Sequence, residues 1–303
     1  MNNFSSSLRL EERENDKGNS GFIVNLCPTG MIPVRAQVPA VPITPKEIGL
    51  DVGRCYDAGA AMVHLHARED DESPTWRGER FEEIITEVLL RAPEIIVCVT
   101  SSGRNWSDLP RRTEALSIPD PHKPELASLT LGSMNFPKSA SVNAPDTIIG
   151  LIDAMQAANI VPELEVFDVG MANYARSLAK AGRLKPPYYF NILLGSLGTA
   201  DFNATNIAAI VGSLPEGSTW ALAGIGRYQL SANVTSLTLG GHVRVGLEDN
   251  PYFDWRTREP ATNPRLVERL VRLGRELGRE PVTPRIAREI IGIRQKEEVI
   301  SAC

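Results

Sequence analysis

The 303-residue chain has no apolar run approaching the roughly 18 residues that a membrane span needs, and no span is expected. Its 4 cysteines, Cys27, Cys55, Cys98 and Cys303, include no Cys-x-x-Cys pair, which argues against a zinc knuckle or a dithiol redox centre. Three of them stand among apolar neighbours, where a reduced cysteine acts as a small hydrophobe, so a cytoplasmic protein is expected. Basic residues (32) fall short of acidic ones (37), giving a formal net charge of −5 and no reason to expect nucleic acid as a partner. The stretch from Met1 to Ser20 lacks the apolar segment of a secretory signal. It is read as a polar arm, mobile or ordered against a partner subunit, ahead of one domain over 21–303. Histidine is as scarce as cysteine and tryptophan, with 4 in the chain.

Two of those four fall together, in Ala60-Ala-Met-Val-His-Leu-His-Ala-Arg68. The run is apolar, preceded by Gly59 and followed by the polar cluster Glu69 to Ser73, which reads as a buried strand ending in a loop. Side chains alternate along a strand, so His64 and His66 face one way and their imidazoles can meet at a point, as a divalent metal requires. A bare His-x-His is equally compatible with a core or surface pair, and the metal reading needs a third ligand.

Short apolar runs recur along the chain. Strands are expected at Phe22–Cys27, Ala61–His66, Ile95–Thr100, Ala127–Gly132, Glu163–Asp168, Tyr189–Leu194, Trp220–Ile225 and His242–Leu247. Helix-like segments lie between them. Thr44-Pro-Lys-Glu47 has the threonine cap, early proline and first-turn acid of a helix start. Ala144-Pro-Asp-Thr147, Thr205-Asn-Ile-Ala208 and Thr283-Pro-Arg-Ile-Ala-Arg288 are read as three more starts, and Pro264 to Gly278 as a charged amphipathic helix. Eight strand–helix units predict a parallel (β/α)8 barrel, an α/β TIM-barrel fold. A doubly wound sheet usually carries a Gly-rich turn after its first strand, and Cys27-Pro-Thr-Gly30 is not one.

A (β/α)8 enzyme works at the C-terminal ends of its strands, which turns the strand list into a list of candidates. The second strand ends in His64 and His66, the third in Thr100-Ser-Ser-Gly103. The fourth contains Ser128. The fifth carries Glu163, Glu165 and Asp168, and the eighth leads through Arg244 to Glu248 and Asp249. Thr100 and Ser128 are also unremarkable as strand residues. Asp249 or Asn250, before Pro251, can cap a turn. Two acids on one face of an interior strand, Glu163 and Glu165, are costly unless paired, and Arg244 offers a partner charge. Glu248 is the natural third ligand. Two imidazoles and a carboxylate with open positions describe a catalytic zinc site, and Asp249 beside it is placed to move a proton.

Taken together, these segments resemble the β-keto acid cleavage enzymes, whose best-known type is the 3-keto-5-aminohexanoate cleavage enzyme of lysine fermentation. The resemblance is carried by Ile43-Thr-Pro-Lys-Glu-Ile48, Ala58-Gly-Ala-Ala-Met-Val-His-Leu-His-Ala-Arg68, Leu129-Thr-Leu-Gly-Ser-Met-Asn-Phe136, Pro162-Glu-Leu-Glu-Val-Phe-Asp168, Ala223-Gly-Ile-Gly-Arg227 and Gly240-Gly-His-Val-Arg-Val-Gly-Leu-Glu-Asp-Asn250. It implies a (β/α)8 barrel, a zinc ion and a homotetramer. It also implies zinc ligands at His64, His66 and Glu248, a charged catalytic group at Glu165, Arg244 and Asp249, and hydroxyls at Thr100 or its neighbour Ser101 and at Ser128. The implied reaction joins a β-keto acid to acetyl-CoA and releases acetoacetate and a new acyl-CoA. Gly224, Gly226 and Arg227, after the seventh strand, are a plausible cradle for the phosphates of CoA.

One position departs from the family type. Where that type has a glutamate for the substrate's ammonium group, this chain has Ile32, and a buried apolar side chain cannot compensate a cation. The expectation is an uncharged distal group, with an anionic one recruited by Arg35 as the second choice. Two rivals follow from the residues. An amidohydrolase-like zinc barrel also uses His-x-His, but on its first strand and with further histidines, whereas His122 and His242 lie at no suitable strand end. A non-catalytic barrel binding a metal or metabolite leaves Glu165, Arg244, Glu248 and Asp249 unexplained.

Overall fold

Eight short apolar runs, each able to bury both faces, have one economical arrangement, a closed parallel sheet sheathed in helices. The computed structural model, which describes residues 21–137 and 139–293, has that arrangement. The barrel strands are β1 (Val24–Leu26), β2 (Met62–Leu65), β3 (Ile96–Val99), β4 (Leu126–Thr130), β5 (Val161–Val166), β6 (Tyr188–Leu194), β7 (Ser218–Gly224) and β8 (His242–Val245). Each pairs in parallel with the next, and β8 closes on β1 through Val243 opposite Val24 and Arg244 opposite Asn25. The polar arm expected over 1–20, and Cys303, lie outside the described residues.

All eight expected strands form; the fifth is displaced most, to Val161–Val166, and the first is shortened to Val24–Leu26. Phe22 pairs outward with Pro281, its carbonyl accepting the Val282 N–H, and only from Ile23 onward does the backbone bond across to β8. Helices α1 (Pro45–Asp57), α2 (Gly78–Leu89), α3 (Leu109–Thr113), α4 (Pro145–Ala157), α5 (Val169–Lys180), α6 (Ala204–Val211), α7 (Gln229–Thr238), α8 (Asn263–Glu276) and α9 (Pro284–Ile291) follow in order. Thr44 and Glu47 form both halves of the capping box at α1. The start expected at Thr205 is corrected. Asn203 is the cap of α6, its Oδ1 accepting the Asn206 N–H at 2.9 Å, because an amide oxygen one turn back reaches an otherwise orphaned donor.

The two ends of the barrel are unlike. At the N-terminal end α9 lays Ala287 and Ile291 against Ile23, Met62, Ile96, Leu126 and Tyr189, a dry plug fastened by the Arg288–Glu125 pair at 2.6 Å. Polar side chains are therefore gathered toward the C-terminal ends. Among the described residues no helix is long and apolar enough to cross a membrane.

His242 belongs to the frame rather than to the site. It opens β8, and its Nδ1 accepts the Ile23 N–H at 3.0 Å, while burial, helped by the charge of Arg279, pushes its pKa down to about 4. The unfolded chain takes up this proton first, so the stability it confers is intact above about pH 6.5 and is lost as pH falls below that. At pH 5 the loss is about 2 kcal/mol. Denaturant unfolding at pH 7.5 and pH 5 should show the wild type losing about that much more than His242→Gln; equal losses would place the acid sensitivity elsewhere.

Candidate active site

Strand alternation brings His64 of β2 and Glu163 of β5 to the same interior, although 99 residues separate them. His64 Nδ1 lies 2.6 Å from Glu163 Oε2. Glu163 is itself fixed, since Asn25 Nδ2 donates to Oε1 at 2.7 Å and the Cys98 thiol donates to Oε2 at 3.2 Å. Burial alone raises a carboxyl's pKa; here the facing His64, joined by the charge of Arg244 and the Cys98 thiol, outweighs it and holds Glu163 at about 2. An ionised Glu163 claims the Nδ1–H of His64 and leaves Nε2 as the ligating nitrogen, the support that metal-bound imidazoles generally have. Glu163 stood among the strand-end candidates without a role of its own, and its alternation with Glu165 was the signal that pointed to it.

His64 Nε2 is 3.3 Å from His66 Nε2, which is 3.2 Å from Glu248 Oε1. Gly30, at φ +69°, makes room for this carboxylate, because a Cβ there would sit 2.6 Å from Glu248 Cγ. Burial lowers the pKa of His66 and keeps it neutral, as a ligand must be. The donor atoms of His64, His66 and Glu248 all lie within 4.8 Å of one another, and Glu248 Oε2 is buried with no hydrogen-bond partner. Two imidazole nitrogens and an unsatisfied carboxylate converging in this way fit a divalent metal, and the N, N, O donor set is that of catalytic zinc. His64, Cys98 and Glu163 form a second cluster, but their bonds to one another occupy them as support for the first.

Arg244, from β8, is the cation of the site. Its Nη2 donates to Glu248 at 2.8 Å, its Nε to Asp249 at 3.1 Å, and its Nη1 stands 3.7 Å from Glu165. Glu165 also accepts the Thr130 hydroxyl at 2.7 Å. For Asp249 and Glu165 burial raises the pKa further than Arg244 lowers it, which makes both better proton acceptors than an exposed carboxylate. Asp249 does not cap the turn before Pro251. Asn250 does so, its Oδ1 accepting the Tyr252 N–H at 3.1 Å. Asp168 caps α5 through the Met171 N–H at 2.9 Å, outside the site.

The hydroxyls gather at the ends of β3 and β4. Ser128 Oγ accepts the Ser101 N–H at 3.1 Å, and the Ser101 hydroxyl donates back to the Ser128 carbonyl. Thr100 Oγ1 accepts the Ser102 N–H at 3.1 Å, and its own proton has no acceptor among the described residues. Beneath them Arg112, buried in α3, donates to the Ser101 carbonyl at 2.7 Å and to Asn143 at 2.8 Å, and burial takes its pKa down to about 10. Nothing in the local sequence Pro110-Arg-Arg-Thr113 distinguishes it from its exposed neighbour Arg111.

Three expectations about the rim change. Ile32 is 61% exposed rather than buried, because the loop after β1 turns outward past Gly30. Arg35 is committed to Glu47 at 2.6 Å and Glu72 at 3.3 Å, so its charge is already neutralised on the surface. Of the presumed phosphate cradle, Gly226 spends its N–H on the Asp249 carbonyl at 2.8 Å. Gly224 serves close packing, a Cβ there falling 2.3 Å from the Tyr228 carbonyl oxygen. Arg227 remains exposed, its Nη2 2.6 Å from the Tyr228 hydroxyl.

Residues 22–293 match the family model described as beta-keto acid cleavage enzyme. The chain is 40% identical over 259 residues to the 3-keto-5-aminohexanoate cleavage enzyme of Fusobacterium nucleatum subsp. nucleatum, covering 85% of this chain and 92% of that protein. It is 36% identical over 279 residues to the 3-oxoadipate:acetyl-CoA acetyltransferase of Cupriavidus necator, covering 91% and 96%. Among solved structures, the apo structure of ObcA superposes with a TM-score of 0.74 at 23% identity, a likeness of fold over 84% of this chain and 66% of that one.

The site makes its metal testable apart from any reaction. Purified protein should hold one zinc per subunit, and His64→Ala should lose most of it. Glu163→Gln, which leaves all three ligands in place, should weaken zinc by roughly 10- to 100-fold in a chelator competition. Full occupancy in His64→Ala would contradict the assignment.

Proposed function

We propose, for a chain that belongs to the beta-keto acid cleavage enzyme family, that it condenses a β-keto acid with acetyl-CoA and releases acetoacetate and a new acyl-CoA. The observation that carries this reading is the coupling of Glu248 and Asp249 through one buried arginine: a metal ligand and a proton acceptor, adjacent in sequence, share Arg244 at 2.8 and 3.1 Å. A metal at His64, His66 and Glu248 supplies Lewis acidity for the oxygens of the keto acid.

The remaining chemistry falls to the chain's own side chains. Asp249, oriented by Arg244 and made more basic by burial, takes a proton from the carbon between the two carbonyl groups. That carbon bonds to the acetyl carbonyl carbon of acetyl-CoA, and CoA leaves as the thiolate. The thiolate adds to the original keto carbonyl, the bond between that carbonyl and the central carbon breaks, and the carbanion recovers its proton from Asp249. The products are acetoacetate and the new thioester. Thr100, with an uncommitted hydroxyl proton, is the better placed donor to a developing oxyanion, and Ser101 with Ser128 fixes the turn that presents it.

The amidohydrolase-like reading lacks its further histidines. His122 lies near Glu82 at the protein surface, and His242 is bonded into the frame. A purely binding barrel has no use for a proton acceptor held beside a metal ligand. The same reading includes a homotetramer, as the family resemblance implies, and a cytoplasmic setting, in keeping with the buried free thiols of Cys27, Cys55 and Cys98. Arg227 is offered to the phosphates of CoA. Ile32 supplies no counter-charge for an ammonium group, so an amino-bearing keto acid like that named for the Fusobacterium relative is not the expected substrate.

Turnover should require acetyl-CoA. Asp249→Asn should lose roughly two orders of magnitude or more in kcat with its zinc retained. Near-normal turnover of a zinc-loaded Asp249→Asn would move the base to Glu165.

A further inference from the structure

One cation at the mouth of the barrel is held in place without a carboxylate partner. Arg104, on the loop after β3, lies with its guanidinium carbon 3.3 Å from the centroid of Phe136, on the loop after β4. Phe136 meets the buried Phe167, just past β5, edge-to-face at 6.3 Å. The arginine is thus braced against an aromatic wall built from two other strand ends. It is half-buried, and burial lowers its pKa while the charges of Glu248 and Glu165 act on it through space.

Its neighbours show what is unusual here. Arg244 pairs with three carboxylates and Arg35 with two, and Arg112 gives two of its nitrogens to a carbonyl and an amide while its buried Nη1 has no partner. Among the described residues, the Arg104 guanidinium has no hydrogen bond and no ion pair. Stacking occupies the face of a guanidinium and leaves its N–H edge, which lies in the plane and matches a carboxylate, available. Arg104 feels Glu248 and Glu165 without pairing with either, so it stands further out than an ion-pair distance from the site's own acids.

We propose that Arg104 recognises a distal carboxylate, and that the preferred substrate is a β-keto dicarboxylate. The inference rests on the β-keto acid reading and deepens it. The reacting end of the substrate must lie by Asp249 and the three metal-binding side chains, where Arg244 is already engaged with the acids. Arg104 stands across the mouth, on the β3 and β4 side, with its N–H edge uncommitted, whereas Arg112 is buried beneath the Ser101 turn. Arg35, the other arginine considered for this task, is already neutralised.

The test compares a six-carbon β-keto dicarboxylate with the uncharged-tail β-keto acid of equal length, acetyl-CoA held constant. The wild type should prefer the dicarboxylate. Arg104→Gln should lose roughly 100-fold in kcat/KM for it and stay within about 3-fold for the uncharged acid, which also shows that the variant folds. Equal losses on both substrates, a wild-type preference for the uncharged acid, or a change confined to the KM of acetyl-CoA would each overturn the proposal. Should neither acid turn over, the β-keto acid reading fails, and binding still decides the role of Arg104. Calorimetry should then show glutarate binding more tightly than pentanoate to the wild type and that advantage vanishing in Arg104→Gln; an advantage that persists in the variant refutes the role.

Discussion

The structure turns on one guanidinium placed inside a barrel. Glu163, Glu165, Glu248 and Asp249 are all withdrawn from water at the same end, and Arg244 is the cation that reaches three of them. Buried carboxylates cost several kcal/mol each unless compensated, and one arginine does not balance four. Part of the deficit is met by His64 against Glu163, and the rest calls for a divalent cation between the imidazoles and Glu248. The metal, on this view, is a condition of the charge arrangement as well as a reagent. The same arrangement gives Asp249 its basicity, since burial outweighs its single arginine contact.

Much of the remaining structure keeps these charges in position. Gly246 allows β8 to pass so close to β1 that a Cβ would overlap the Cys27 carbonyl, which turns the following Glu248 and Asp249 back over Arg244. The turn is pinned from two helices: Gln229 donates to the Gly246 carbonyl at 2.9 Å, and Asn263 accepts the Leu247 N–H at 2.8 Å. Asn263 is in turn bonded to the buried Asp51 of α1 at 2.6 Å. The loop after β7 is tied in by the Gly226 N–H on the Asp249 carbonyl. Side chains held on strand ends by such contacts lose little further freedom on binding substrate, which is what an ordered reacting geometry needs.

What could be read from the sequence was what depends on local pattern. The alternation of His64 and His66, the capping box at Thr44 and Glu47, and the eight apolar runs each report a short-range periodicity, and all appear in the fold. The metal trio was legible because strand ends in such a barrel converge. Contacts set by register across the barrel were not. That Glu163 supports His64 while Glu165 joins Arg244 depends on which rung of β5 faces β2 and which faces β8. Arg112 and Arg104 look like ordinary basic loop residues until packing buries one under Ser101 and stacks the other on Phe136. Ile32 was misjudged for a related reason, since the direction of a loop past a left-handed glycine is not written in its hydrophobicity.

The claim that Arg244 orients the base is most directly tested by proton exchange at the carbon between the carbonyls, followed by NMR in deuterated water without acetyl-CoA. The zinc-loaded wild type should exchange that position much faster than buffer does. Arg244→Lys keeps a positive charge but loses the fork that holds Glu248 and Asp249 together, and should slow the exchange by roughly 100-fold with the fold and zinc retained. Exchange within a few-fold of wild type in that variant would contradict the account, for the base would then be working without the arginine that is said to hold it.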